Sequence, residues 1–426
     1  MFTTLRNAWK IPELRKKLFF VLLILLIYRV GNAVPVPYVN VDLLTEFFNA
    51  NLSNTILGLY NAMSGSAFST ATVLALSIQP YINASIIVQL LTIAIPALER
   101  LSKEGGEEGR KKINDITRYS TVALGLIMGL SYYVMLRNYQ LLATNDIFPY
   151  AFVIIIAFTA GSAFVMWLGE QITEFGIGNG ISVILFANII CRIPSATYTM
   201  GQELIADFGH TWYKHLATLV LMLALIVLIV FIDKSERRIP VQYAKRVVGR
   251  KVYGGQSTHL PIKVNMSGVL PVIFAQSIVS LPATFCAFLG VNSGWWYENV
   301  FSSTSAVYAI FYFLLIIFFS YFYATIQYNP IEIANNMKKN GGFIPGFRPG
   351  RPTADFIAKV INKITIFGAL FLAVVALLPL IVSAIFSNTA MSVGGTSVII
   401  VVGVALELVA AIETQMMMRH YKGFLE

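Results

Sequence analysis

Residues 213–232 read YKHLATLVLMLALIVLIVFI, and from Leu216 the run holds no charged residue until Asp233. A helix needs about 20 mostly apolar residues to cross the hydrocarbon of a bilayer, so this stretch reads as a membrane crossing. Nine further runs of similar character lie on either side of it, at roughly 18–37, 67–98, 116–136, 148–169, 178–198, 265–290, 302–324, 361–386 and 393–414. The run at 178–198 is interrupted by Arg192 and Pro194. Composition agrees with ten crossings. The chain is 57% hydrophobic and only 12% charged over 426 residues, where a soluble domain is roughly 45–50% apolar and roughly 25% charged. This excludes a soluble protein and leaves no room for a separate water-soluble domain.

The net charge of +10 matters through its placement. Short loops rich in Lys and Arg stay on the cytoplasmic side. With ten spans and the N-terminus inside, that side holds 27 of the 31 basic residues, in the N-terminal segment, the loops 99–118, 233–264 and 325–363, and the tail. The exceptions are Arg29, Arg137, Arg192 and Lys214. Both termini are therefore expected in the cytoplasm. Residues 1–28, with Arg15, Lys16 and Lys17 ahead of Leu18–Ile27, have the look of a secretory signal. Because nine spans follow, they read as a retained first crossing.

Ten spans divide into two groups of five, and an odd number per group forces opposite orientations, as in inverted repeats. The expected halves are residues 1–200 and 201–426. The second span carries Gln79, Pro80 and Asn83, and the seventh carries Pro271, Gln276 and Pro282. Polar or proline interruptions at matching places in two halves point to a functional site, although ordinary proline kinks read equally well.

Chemistry is sparse. Glu170 and Glu407 are the main acids within or beside spans, where a coupled pump needs several. His210, His215, His259 and His420 lie in loops or the tail, and no HExxH or GxSxG motif occurs. Cys191 and Cys286 have no ligand spacing and read as small buried hydrophobes. Neither a cofactor nor a metal is expected, and the chain does not read as an enzyme. Gly176–Gly180 (GIGNG) has no strand before it and reads as a flexible turn rather than a nucleotide loop.

The two long basic loops carry more. Arg238–Arg246 alternates partly apolar with polar and is followed by glycines and a second extended stretch, His259–Val264, which predicts a protruding basic hairpin. Asn340–Gly350 is too rich in Gly and Pro for a helix and sets Arg348 in a constrained turn. Two basic projections on one face suit an acidic or RNA-containing partner. Outside, 51–68 (NLSNTILGLYNAMSGSAF) is too short to span and reads as a re-entrant or an interfacial helix.

Five segments in this order, Gln79–Ile86 (QPYINASI), Gly176–Ser182 (GIGNGIS), Tyr243–Arg246 (YAKR), Pro345–Gly350 (PGFRPG) and Gly394–Ser397 (GGTS), make the chain similar to the SecY/Sec61-alpha family over essentially its whole length. The resemblance implies an all-α polytopic membrane protein, with ten transmembrane helices in two inverted five-helix halves around a central hourglass pore. Its implied function is a protein-conducting channel, which passes unfolded secretory polypeptides across the membrane and releases signal sequences and transmembrane segments sideways into lipid between helices 2 and 7. It implies a pore ring of Ile78, Ile82, Leu185, Ile189, Ile273 and Ile400, and a lateral gate with Gln79, Asn83 and Gln276. It also implies an external plug at about 53–66, with Leu57, Tyr60, Met63, Ser64 and Gly65, and a cytoplasmic docking face with Tyr243, Lys245, Arg246, Arg250, Arg348 and Arg351. Implied partners are SecE- and SecG-type small membrane subunits, the SecA ATPase, the ribosome, signal sequences and preproteins, and lipid, in a bacterial plasma membrane. The alternative that the residues leave open is an ion-coupled secondary transporter.

Overall fold

The computed structural model describes residues 6, 8–52, 56–103, 105–143, 148–206, 212–243, 246–248, 251–253, 257–266, 268–288, 305–386 and 389–422. Each of the ten expected runs contains a helix. Helix α1 (Pro12–Gly31) opens with Pro at its first position and Glu13 in its first turn, and closes with Arg29 in its last, charges that suit the helix dipole. Short α2 (Val41–Phe47), capped by the Asn40 side chain, runs into a π-turn and is followed by α3 (Ile56–Met63). Then come α4 (Gln79–Ala94), α5 (Pro96–Lys103), α6 (Gly106–Asn138), α7 (Phe148–Phe175), α8 (Gly180–Ile190), α9 (Ile193–Ala206) and α10 (Trp212–Asp233). After a β region follow α11 (Leu270–Phe288), α12 (Ala306–Gln327), α13 (Pro330–Lys339), α14 (Arg351–Phe386) and α15 (Thr389–Lys422). Among the described residues, five helices are long and apolar enough to cross a membrane, and α4 with α5, bent by 105°, adds a sixth where the pair is counted as one broken span.

The structure corrects the second expected span. Residues 64–78, which include the first twelve of the run 67–98, are not helical, and α4 begins only at Gln79. Three residues other than glycine there, Ser66, Ala71 and Ser77, have φ of 73°, 42° and 49°, which no helix tolerates. Non-helical backbone survives at membrane depth only inside protein with its polar groups satisfied. Here Val36 N–H donates to Ala71 O and Val73 N–H to Val34 O, each at 2.9 Å, and Ser69 N–H donates to Asn61 Oδ1 at 2.9 Å. Phe68 is fully buried, stacked 4.5 Å from Tyr132, whose hydroxyl donates to Phe68 O at 2.5 Å. The fifth run is also two pieces, since α8 stops at Ile190 and the chain turns at Cys191–Arg192 before Pro194. A proline there has no N–H to carry the helix onward.

The turn at Gly176–Gly180 falls where expected, but close packing rather than flexibility explains its glycines. A Cβ on Gly180 would stand 1.9 Å from Gly169 O, and one on Gly178, at φ 78°, would stand 2.9 Å from Leu408 Cδ2.

The expected hairpin is present. Strand β1 (Glu236–Tyr243) pairs antiparallel with β4 (Ser257–Lys263), from Glu236 opposite Lys263 to Gln242 opposite Ser257, and β2 (Arg246–Val248) pairs with β3 (Lys251–Tyr253) near the tip. The 325–363 segment is less of a loop than its composition predicts. Asn329 caps α13 with two backbone bonds, and β5 (Gly342–Phe343) joins the free edge of β1. Ile239, Val241, Ile262, Met337, Ile344, Ile357 and Ile361 form a core of their own. The two basic loops are thus one packed unit on the ends of α10, α11, α12 and α14.

Helix α7 leans on the irregular segment through Gly161, where a Cβ would stand 1.9 Å from Val73 O. Gly161→Ala is expected to cost about 1–3 kcal/mol, read as a lower melting temperature of the purified protein in detergent. An unchanged melting temperature would contradict this packing.

Candidate functional site

Two aliphatic pairs at i and i+4, Ile78 with Ile82 at the start of α4 and Leu185 with Ile189 in α8, each put one face toward the middle of the molecule. Ile273 lies in the first turn of α11 and Ile400 in α15. All six side chains fall in a single buried cluster, with none more than 7% exposed. Met63, the last residue of α3, belongs to the same cluster. The other residues placed in the plug by resemblance, Leu57, Tyr60, Ser64 and Gly65, are buried too. Gln79 Nε2 donates to Met63 Sδ at 3.2 Å, so α3 sits against the entrance to α4.

Helices α4 and α11 pack against each other along a seam joined by few polar contacts. Ser277 Oγ donates to Gln79 Oε1 at 3.5 Å, a long bond for a hydroxyl. Farther along, Tyr323 Oη of α12 donates to Gln89 Oε1 of α4 at 2.7 Å, its ring 5.3 Å from that of Phe274. Gln276 turns away from α4 and donates to Tyr308 Oη at 3.0 Å. Asn83 is 4% exposed, and its Oδ1 has no hydrogen-bond partner among the described residues. Ser277, Gln89 and Tyr323 carry no sequence signal that separates them from ordinary span residues.

Both acids noted in the sequence make defined contacts. Glu170 of α7 forms a paired bridge with Arg118 of α6, Nε to Oε1 and Nη2 to Oε2, both 2.9 Å. Glu407 of α15 accepts the Val269 N–H in the turn just before α11, where Gly268, at φ 63°, leaves room for the carboxylate. A carboxylate at a helix N-terminus satisfies an orphan donor and suits the dipole.

On the hairpin face, Ile344, Pro345, Gly346 and Phe347 form a tight turn closed by Phe347 N–H to Ile344 O at 3.1 Å, with Gly346 at φ 88°. Phe347 packs on Phe356 at 4.3 Å. Arg348 stays exposed while its carbonyl accepts the Thr353 hydroxyl at 2.8 Å, and Arg351 is exposed at the start of α14. Tyr243 flanks Gly342, and Arg246 lies in β2 opposite Tyr253. Lys245 and Arg250 lie outside the described residues.

The SecY family model matches residues 72–409. The chain belongs to the SecY family. Its full length aligns at 44% identity with the whole of the protein translocase subunit SecY of Streptomyces scabiei, and at 42% with that of Halalkalibacterium halodurans. Among solved structures, one described as a protein conducting channel superposes with a TM-score of 0.66 at 18% identity, covering 93% of this chain and 91% of that one. Sec61 in a canine ribosome-channel complex superposes at 0.61 and 16% identity, covering the same shares. At such identities these likenesses establish the fold alone: the chain has the mainly helical SecY architecture.

The Tyr323–Gln89 bond is the shorter of the two across the seam. Intramembrane hydrogen bonds are worth about 0.6 kcal/mol on average and at most about 1.7. A cycle of Tyr323→Phe, Gln89→Leu and the double variant, read by unfolding in detergent, is expected to give a coupling of about 1 kcal/mol. Additive effects would remove this bond from the seam.

Proposed function

We propose that this chain is the channel subunit of a bacterial protein translocase, conducting unfolded polypeptides across the plasma membrane and opening sideways between α4 and α11. One observation carries the reading: six aliphatic side chains from four helices converge on a single buried cluster with the end of α3 laid against it. An unfolded substrate is chemically varied, so a conduit for it cannot rely on fixed polar contacts. An aliphatic constriction resists wetting and ion leak while gripping no sequence strongly. Residues 1–200 and 201–426 form the two halves, with α3 as the plug.

The seam suits a lateral gate. Its central polar contact is long, and the buried Asn83 oxygen, without a partner among the described residues, costs about 1–3 kcal/mol in the closed arrangement. A signal sequence that inserts there offers apolar surface to the helices while its own best surroundings are lipid. Such an intruder needs to displace little.

Driving force comes from outside the chain. The hairpin and the Arg348 turn form the docking face for a SecA-type ATPase or a ribosome, and the apolar outer faces of the helices take SecE- and SecG-type subunits and lipid. Two of the solved neighbours, the canine Sec61 channel and the yeast Ssh1 complex, are described as bound to ribosomes, which supports this use of the face. The ion-coupled transporter alternative gains no support from the relatives, which are named translocase subunits.

Ile82→Gly combined with Ile273→Gly is expected to raise resting ion conductance in reconstituted vesicles by tenfold or more, on the order of 1.4 kcal/mol of lost seal. Unaltered conductance would take these residues out of the constriction. Arg348→Glu is expected to weaken docking of the soluble ATPase about tenfold and to slow preprotein translocation in step, by removing a positive contact and adding a repulsive one. Docking and translocation at parental levels would show that the turn is not part of the docking face.

A further inference from the structure

Helix α3 ends in a Schellman motif. Ser66 N–H donates to Asn61 O at 2.9 Å and Gly65 N–H to Ala62 O at 3.3 Å, with Gly65 at φ 68°. That motif leaves the next carbonyls of the chain, those of Met63, Ser64 and Gly65, facing outward. Each of them receives a side-chain donor from a different place. Asn188 Nδ2 of α8 donates to Met63 O at 2.8 Å, Asn32 Nδ2 just beyond α1 donates to Ser64 O at 3.3 Å, and Arg29 Nη1 in the last turn of α1 donates to Gly65 O at 3.2 Å.

The first of these donors is itself fixed. Asn188 is 1% exposed, and its Nδ2 also donates to Tyr28 Oη at 2.9 Å, while Tyr28 and Ser77 share a hydrogen bond at 3.1 Å. The grip closes tightly over the helix end. A Cβ on Gly65 would stand 3.0 Å from Asn188 Oδ1 and 3.3 Å from Arg29 Nη1, tight contacts that add to the strain any other residue meets at this φ. Arg29 is also one of the four basic residues that the charge bias leaves on the far side of the membrane. A cation beside the C-terminal end of a helix is favoured by its dipole, which gives that exception a physical reason.

We propose that Arg29, Asn32 and Asn188 are positioning residues that latch the plug shut by holding the main chain at its C-terminal end. The proposal rests on α3 being the plug. Because all three donors grip carbonyl oxygens, the latch is indifferent to the plug's side chains. Sealing belongs to the side chains, and holding belongs to the backbone. Among the described residues the three latch donors lie in or just beyond α1 and in α8, while Gln79 at the seam reaches the plug only through the Met63 sulfur. On the proposed reading the carbonyl grip holds while the seam begins to part, and release follows when α8 moves relative to α1.

The test uses full-length protein in vesicles, with Cys191→Ser and Cys286→Ser, and with Ala62→Cys as a reporter, a position 5% exposed at rest. Labelling by a membrane-impermeant maleimide from the external side reports plug displacement. Asn188→Leu is expected to raise the resting labelling rate about tenfold, and Arg29→Gln about threefold, since Arg29 is partly exposed and its dipole contact correspondingly weaker. Arg29→Lys, which keeps the charge and a donor, is expected to stay near the parent rate. Resting ion conductance should rise in the same order. If labelling rises when a preprotein is engaged but neither Asn188→Leu nor Arg29→Gln raises it at rest, the latch is wrong and the plug assignment stands. If an engaged preprotein leaves labelling unchanged, the plug assignment fails and takes the latch with it. Should Asn188→Leu not accumulate in the membrane, Asn188→Ser and Asn32→Ala carry the same expectation of faster resting labelling, and parental rates in both would overturn the proposal.

Discussion

A backbone amide or carbonyl left unpaired in hydrocarbon costs several kcal/mol, and the whole molecule is arranged around that penalty. Regular helices meet it within themselves. The segment 64–78 cannot, and so it is wrapped by α1, α3, α6 and α7, with its polar groups returned to Val34, Val36, Asn61 and Tyr132. The wrapping has a functional outcome. By doubling back before α4 begins, the chain brings Met63 and Ile78 into one cluster, although fifteen positions of sequence separate them.

The same penalty shapes the seam. Most helix pairs here meet through apolar or glycine-mediated contact, as where α7 meets α8 at Gly169 and Gly180. Where α4 meets α11 and α12, the contacts are Gln79, Asn83, Gln89, Ser277 and Tyr323, one short hydrogen bond, one long one and an unpaired amide oxygen among the described residues, a set that suits the proposed gate. In lipid a polar residue holds its neighbour only while nothing else offers to satisfy it. Water or an entering helix makes that offer, and the apolar contacts elsewhere have no equivalent response.

Much of this was legible in the sequence, for reasons that differ from element to element. Hydropathy located the helices because twenty apolar residues in a row have few other uses, and the alternation of Ile239 and Val241 with polar neighbours gave the hairpin. The aliphatic cluster and the buried end of α3 were reached through motif resemblance, since Ile78 or Leu185 looks like any other span residue. Residues 67–78 misled because their composition is that of a span. The deciding backbone angles fall on Ser66, Ala71 and Ser77, and no residue type announces them. Gln89, Ser277, Tyr323 and Asn188 were invisible for a related reason: each is a single polar side chain whose meaning lies wholly in what the fold brings opposite it. Strand β5, two residues long, is too short for any periodicity.

That short strand changes how the hairpin face handles force. Gly342 and Phe343 stitch the edge of β1, while Val264 N–H closes the hairpin base on Ser235 O at 2.9 Å and Val264 O seats close to Gly368 of α14. The face is therefore a stiff bracket rather than two slack tethers. A body that pushes on either loop delivers its torque to the roots of α11 and α14 together, as a lever bolted at two points turns a door without bending.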